Sequence, residues 1–110
     1  MDAQEMLESL VSRVSAYPEV RRAILFGSRA RGDGRADSDF DLCLVVADAA
    51  DPRSLYVRMM RELASADWSV DLMILTQADY ARKLEEGWTV LKSIAGEGRL
   101  VYAAARVSAQ

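Results

Sequence analysis

Apolar residues recur at helical spacing at Met6, Leu7, Leu10, Val11 and Val14, which predicts a first helix with one apolar face. Asp2 is suited to cap it, with Glu5 completing a box-like start, and the face ends before Pro18. The pattern then shortens. Arg22 to Phe26 is an apolar run of the length of a buried strand, and the stretch from Asp39 to Val46 ends in another. Between them Gly27 and Ser28 open a turn where a helix can start, with Ser28 as its expected cap. Gly32, Gly34 and the Asp33-Gly34 dipeptide break that helix almost at once.

Asp48 to Pro52 reads as a loop, with Asp51 as N-cap and Pro52 at the first helical position. The helix after it turns Leu55, Met59, Met60 and Leu63 inward and Arg53, Arg58, Arg61 and Glu62 mostly outward. Trp68 to Leu75 predicts a third buried strand, interrupted by a single acid at Asp71. Thr76, with Asp79 three residues on, caps a helix that runs to Glu86 and halts at Gly87. Trp88 to Ala95 predicts a short final helix ended by Gly96, and Arg99 to Tyr102 a last strand; the tail from Ala103 has no strong pattern. Three or four strands with helices between them give an α+β fold in α/β layers, a small mixed sheet packed with helices.

Composition bounds this picture. The 110 residues are expected to form a single domain over residues 1–110, and at 51% hydrophobic they can build a core without staples. Cys43 is the sole cysteine and lies in an apolar run, so it reads as a small core residue rather than a nucleophile. A lone cysteine fits a reducing compartment. With no basic or apolar leader after Met1 and no run approaching the roughly 20 residues of a membrane span, a cytoplasmic location is expected. The net charge of −3 argues against a general polyanion binder, and so against direct nucleic-acid binding. Five arginines nevertheless fall between Arg21 and Arg35, an excess that suits a triphosphate, although a solvated arginine face would look the same. There is no histidine, so acid–base chemistry falls to carboxylates, tyrosine, lysine or water.

Two acids leading into a buried strand require an explanation. Strand alternation turns Asp39 and Asp41 the same way, with their backbones about 7 Å apart. Like charges about 4 Å apart repel by roughly 4 kcal/mol at an effective dielectric near 20. One solution is an exposed pair salt-bridged to Arg29, Arg31 or Arg35. Another is a shared divalent cation, and hard carboxylate oxygens suit Mg²⁺. The spacing to Gly27-Ser28 favours the cation, because a strand–Gly-Ser–helix turn offers N–H groups and a hydroxyl to phosphate oxygens beside it.

Gly27-Ser28, ten residues, then Asp39-Phe40-Asp41, with Gly32 between and Ser38 to Leu42 reading Ser-Asp-Phe-Asp-Leu, resembles the nucleotidyltransferase superfamily related to DNA polymerase β. Its short branch, the minimal nucleotidyltransferase (MNT) domains, includes antitoxins of HEPN–MNT toxin–antitoxin pairs. The resemblance implies a nucleotidyltransferase fold and a third carboxylate on a neighbouring strand, and Asp71 is the acid placed to supply it. It further implies two Mg²⁺ ions held by Asp39, Asp41 and Asp71 as catalytic and metal residues, and ATP phosphates bound at Gly27, Ser28 and Arg29, with Arg31 as a second candidate. The implied activity is transfer of AMP from ATP to a tyrosine of a HEPN-type toxin partner, since little chain is left to form an acceptor pocket. Alternatives are a non-catalytic antitoxin acting by binding alone, a subunit of an aminoglycoside-type small-molecule nucleotidyltransferase, and an RNA-end modifier, which the net charge disfavours.

Overall fold

Phe40, Leu42, Leu44 and Val46 alternate with Asp41, Cys43 and Val45, and apart from Asp41 all of them are buried. A strand that is apolar on both faces belongs in the middle of a sheet covered on both sides. The structure, a computed structural model, describes residues 2–35, 37–65 and 67–105 and bears this out. It contains a first helix α1 (Ala3–Ser15), β1 (Val20–Phe26), a one-turn helix α2 (Ser28–Arg31) and β2 (Phe40–Val46). These are followed by α3 (Pro52–Glu62), β3 (Val70–Thr76), α4 (Gln77–Glu85), α5 (Thr89–Glu97) and β4 (Arg99–Ala103). The sheet order is β3-β2-β1-β4. β2 runs parallel to β3, joined through α3, and the β1–β2 and β1–β4 pairs are antiparallel, so the sheet is mixed.

One face of the sheet packs Ala23, Leu25, Leu42, Leu44 and Val46 against Leu7, Leu10 and Val14 of α1 and Leu55 and Met59 of α3. The other face packs Ile24, Cys43 and Val45 against Tyr80 of α4 and Leu91 and Ile94 of α5. Burial pushes the Cys43 thiol up to about 12, which leaves it a core residue, as expected. Among the described residues no helix is long and apolar enough to cross a membrane.

Local chemistry sets the helix ends as the sequence indicates, with two departures there and a third in the sheet. Asp2 and Glu5 form a reciprocal capping box, Asp51 caps α3 with Pro52 in its first turn, and Thr76 Oγ1 accepts from the Asp79 amide. The N-cap of α2, however, is Gly27 and not Ser28, which is already helical. The last helix also runs through Gly96 and stops at Gly98. Gly96 faces open space, whereas a Cβ at Gly98 would collide with the Ile94 carbonyl and the Ile24 side chain, so the chain turns where it must pass close to the sheet. The third departure is β3, an edge strand of which only Leu72 is buried, rather than the buried strand its apolar run predicts. The tail expected to be patternless lies outside the described residues beyond residue 105.

Candidate active site

β1 and β2 meet with Phe26 opposite Asp41, and on its other side Asp41 is paired in register with Asp71 of β3. Parallel ladder partners share a face, so Asp41 and Asp71 both lie on the side covered by α4 and α5, near the starts of their strands. Asp39 comes just before β2. The ladder takes hold only at Phe40, whose amide donates to the Ser69 carbonyl at 2.8 Å. Asp39 and Asp71 are exposed and Asp41 is half-buried.

The exposure of Asp71 corrects one expectation. Its place in an apolar run suggested a buried charge in need of a partner, but at the start of an edge strand water pays most of that cost. What singles it out is the partner across the ladder. The carboxyl of Asp41 is raised above its ordinary value of 3.8 by burial first, then by the charge of Asp71 and that of Asp39, with Arg31 opposing. Both neighbouring acids therefore act electrostatically on Asp41. They do not close on a common point: among the described residues no three acidic or cysteine side chains are spaced to hold one ion as they stand.

Gly27 faces the same carboxylate. Its φ of 75° and ψ of −159° lie in a region that essentially only glycine adopts. A Cβ there would also collide with the Asp41 carboxylate. The Gly27 carbonyl accepts from the amides of Ala30 and Arg31 at 3.1 Å, which winds α2 into its single turn. Ser28 follows at the first helical position, half-buried, with the loop at Gly34 folded back against its hydroxyl. The Gly27 turn and the Asp41 carboxylate are thus in direct contact.

The arginines divide. Arg31 points to the acids' side, close enough to lower the Asp41 carboxyl, and pairs with Asp33 at 3.3 Å and Glu97 at 3.7 Å. Both pairs are exposed and so worth little, which leaves them exchangeable for a phosphate. Arg29 instead sends its guanidinium into the loop before β2, donating to the Ser38 carbonyl and lying over the Phe40 ring. Spacing along the chain gave no sign of that contact. Beside Gly27 opens a hollow of about 370 Å³ walled by Phe26, Arg31, Thr89, Ser93 and Glu97. Thr89 and Ser93 lie in a span whose sequence pattern indicates only a short helix, so nothing in the sequence marks them as part of this wall.

Comparisons with known proteins bear on the fold and the family. A search of curated proteins found no significant match. Among solved structures, a toxin–antitoxin complex with AMP-PNP is similar at 25% identity and a TM-score of 0.60, covering 93% of this chain and 74% of that one. The complex of a tri-AMPylated Shewanella oneidensis HEPN toxin with its MNT antitoxin is similar at 23% identity and a TM-score of 0.58, covering 92% of this chain and 72% of that one. Spectinomycin adenyltransferase AAD(9) from Enterococcus faecialis, with ATP and spectinomycin, is similar at 14% identity and a TM-score of 0.60. That match covers 93% of this chain and 55% of that one, and likeness at such identity speaks for the fold. The model of the family described as "Polymerase beta, Nucleotidyltransferase" matches residues 8–106, a span that holds the Gly27 turn and all three acids. With the mixed sheet, the glycine-borne turn and the carboxylates in place, the chain belongs to the polymerase β nucleotidyltransferase family.

Proposed function

We propose that this protein transfers AMP from ATP to a tyrosine hydroxyl of a HEPN-type toxin partner and releases pyrophosphate. The observation that carries the transfer is the contact between Gly27 and Asp41, which sets a turn suited to phosphate against a carboxylate that the charges of Asp71 and Asp39 act on. Likeness to toxin–antitoxin complexes, one of them containing an AMPylated HEPN toxin, supports the choice of acceptor.

The donor chemistry suits Mg²⁺, since carboxylate oxygens are its preferred ligands and the repulsion felt by Asp41 is what a dication relieves, although the three carboxylates would have to turn toward one another to share an ion. Asp39 and Asp41 would hold two ions between them, with Asp71 on the acceptor side. When bound, Mg²⁺ supplies charge neutralisation for the triphosphate and for the oxygens on either side of the transferred phosphorus. Gly27 lets the backbone approach the terminal phosphates, and Ser28 adds a hydroxyl donor. Arg31 takes up phosphate charge in place of its two exposed carboxylate partners. The hollow beside Gly27 falls within the usual size of a small-ligand site, about 300–1,000 Å³, and receives the nucleoside.

The step balances simply. The tyrosine oxygen forms a bond to the α-phosphorus as the bond from that phosphorus to the pyrophosphate oxygen breaks. The phenolic proton passes to Asp71 or to water. A phenol of pKa near 10 is a poor nucleophile at neutral pH, so Asp71 is well placed to assist its loss.

Incubation with the HEPN partner and ATP labelled in either the α- or the γ-phosphate tests the proposal. Label retained on the partner from α-ATP and lost from γ-ATP is expected. Label retained from neither, with the partner still neutralised, would replace transfer by binding-only inhibition.

A further inference from the structure

Asp39 stands one residue ahead of the β2 ladder and is exposed, so no strand pairing fixes it. Its two neighbours are gripped by one side chain. Arg29 donates through Nε and Nη2 to the Ser38 carbonyl, at 3.2 and 2.9 Å. The same guanidinium lies over the Phe40 ring, its carbon 4.2 Å from the ring centroid. Phe40 is only 2% exposed and anchored through its amide to Ser69, so it offers a rigid platform. The Ser38 hydroxyl accepts from the Arg35 amide at 2.7 Å, which ties Arg35 to the same point.

We propose that Arg29 is a positioning residue for Asp39: by holding Ser38 and Phe40 it fixes the backbone on both sides of that carboxylate and sets its distance from the Gly27-Ser28 turn. The assignment rests on the proposed metal role of Asp39. It differs from the expectation that Arg29 neutralises phosphate charge, and the two make opposite demands on the side chain. A phosphate contact needs a positive charge, which lysine keeps. The grip on Ser38 and Phe40 needs a planar fork that can give two parallel N–H groups to one carbonyl and stack on a ring, which lysine lacks. Supports one step behind a metal ligand typically change metal affinity by about 10–100-fold.

The test is Mn²⁺ binding, followed by the electron paramagnetic resonance signal of the free ion, in wild type, Arg29→Lys, Arg29→Met and Asp39→Asn. Both Arg29 variants are expected to bind Mn²⁺ at least tenfold more weakly than wild type. Adding Arg29→Lys to Asp39→Asn is expected to cost nothing further. Amide exchange gives a second readout: residues 37–39 of Arg29→Lys should exchange faster than wild type while β1 and β2 stay protected. Binding in Arg29→Lys equal to wild type, with nucleotide affinity lost only in Arg29→Met, would return Arg29 to a phosphate role. Wild-type Mn²⁺ affinity in both variants would overturn positioning and leave the metal site standing. No Mn²⁺ binding by wild type would overturn both.

Discussion

Asp41 and Asp71 are register partners across the parallel β2–β3 pair, one half-buried on a central strand and the other exposed on the edge. Their roles differ accordingly. Asp41 bears the electrostatic load, and in the proposed mechanism the exposed Asp71 is the one that meets an acceptor arriving from solvent.

That load makes stability depend on pH. Because the folded Asp41 carboxyl is raised above 3.8, the folded chain holds its proton more tightly than the unfolded chain does. The contribution of Asp41 to stability therefore falls as pH rises from 3.8 through the raised folded value, and the loss is complete above it. Asp41→Asn should melt higher than wild type at neutral pH, with the gap closing as pH falls below 3.8. Calorimetry across this range checks the sign, and a variant that melts lower at neutral pH would refute it.

Divalent cation should reverse the effect. Mg²⁺ with ATP is expected to raise the melting temperature of wild type, since a ligand at a hundred times its Kd stabilises by about 2.7 kcal/mol. Asp41→Asn should show no such rise. A wild-type melting point unmoved by millimolar Mg²⁺ and ATP would count heavily against the site.

Gly27→Ala should damage both fold and function. The backbone conformation costs a non-glycine residue of order 1–3 kcal/mol, and the new methyl group must displace the Asp41 carboxylate. A lowered melting temperature together with lost transfer is expected. A variant that is destabilised yet fully active would separate Gly27 from the chemistry.

Asp71→Asn separates binding from turnover. With Asp71 on the acceptor side, the variant should bind ATP within about tenfold of wild type, roughly 1.4 kcal/mol, while transferring nothing. Titration of ATP alongside a transfer assay measures both, and wild-type transfer would remove Asp71 from the mechanism.

What the sequence made legible follows physical lines. β2 could be read because burial on both faces leaves an almost unbroken apolar run, and α1, α3 and α4 could be read because their caps lie within three residues of the helices they start. The Gly27-Ser28 turn and the acids are local patterns at fixed spacing, and the family model spans them all. Features that depend on a distant segment could not be read. The end of α5 is set by the clearance between Gly98 and Ile24 on β1, not by the first glycine reached. Asp71 resembles a buried acid until β3 is known to be an edge. The hold of Arg29 on Ser38 and Phe40 spans nine and eleven residues of loop and strand, beyond any helical or strand period.

Intact-mass measurement of the HEPN partner, after incubation with this protein, ATP and Mg²⁺, tests transfer to a tyrosine most directly. The account predicts a mass gain of whole AMP units, mapped by fragmentation to tyrosine and absent when Asp39→Asn replaces wild type. A neutralised partner of unchanged mass, neutralised equally well by Asp39→Asn, would contradict it.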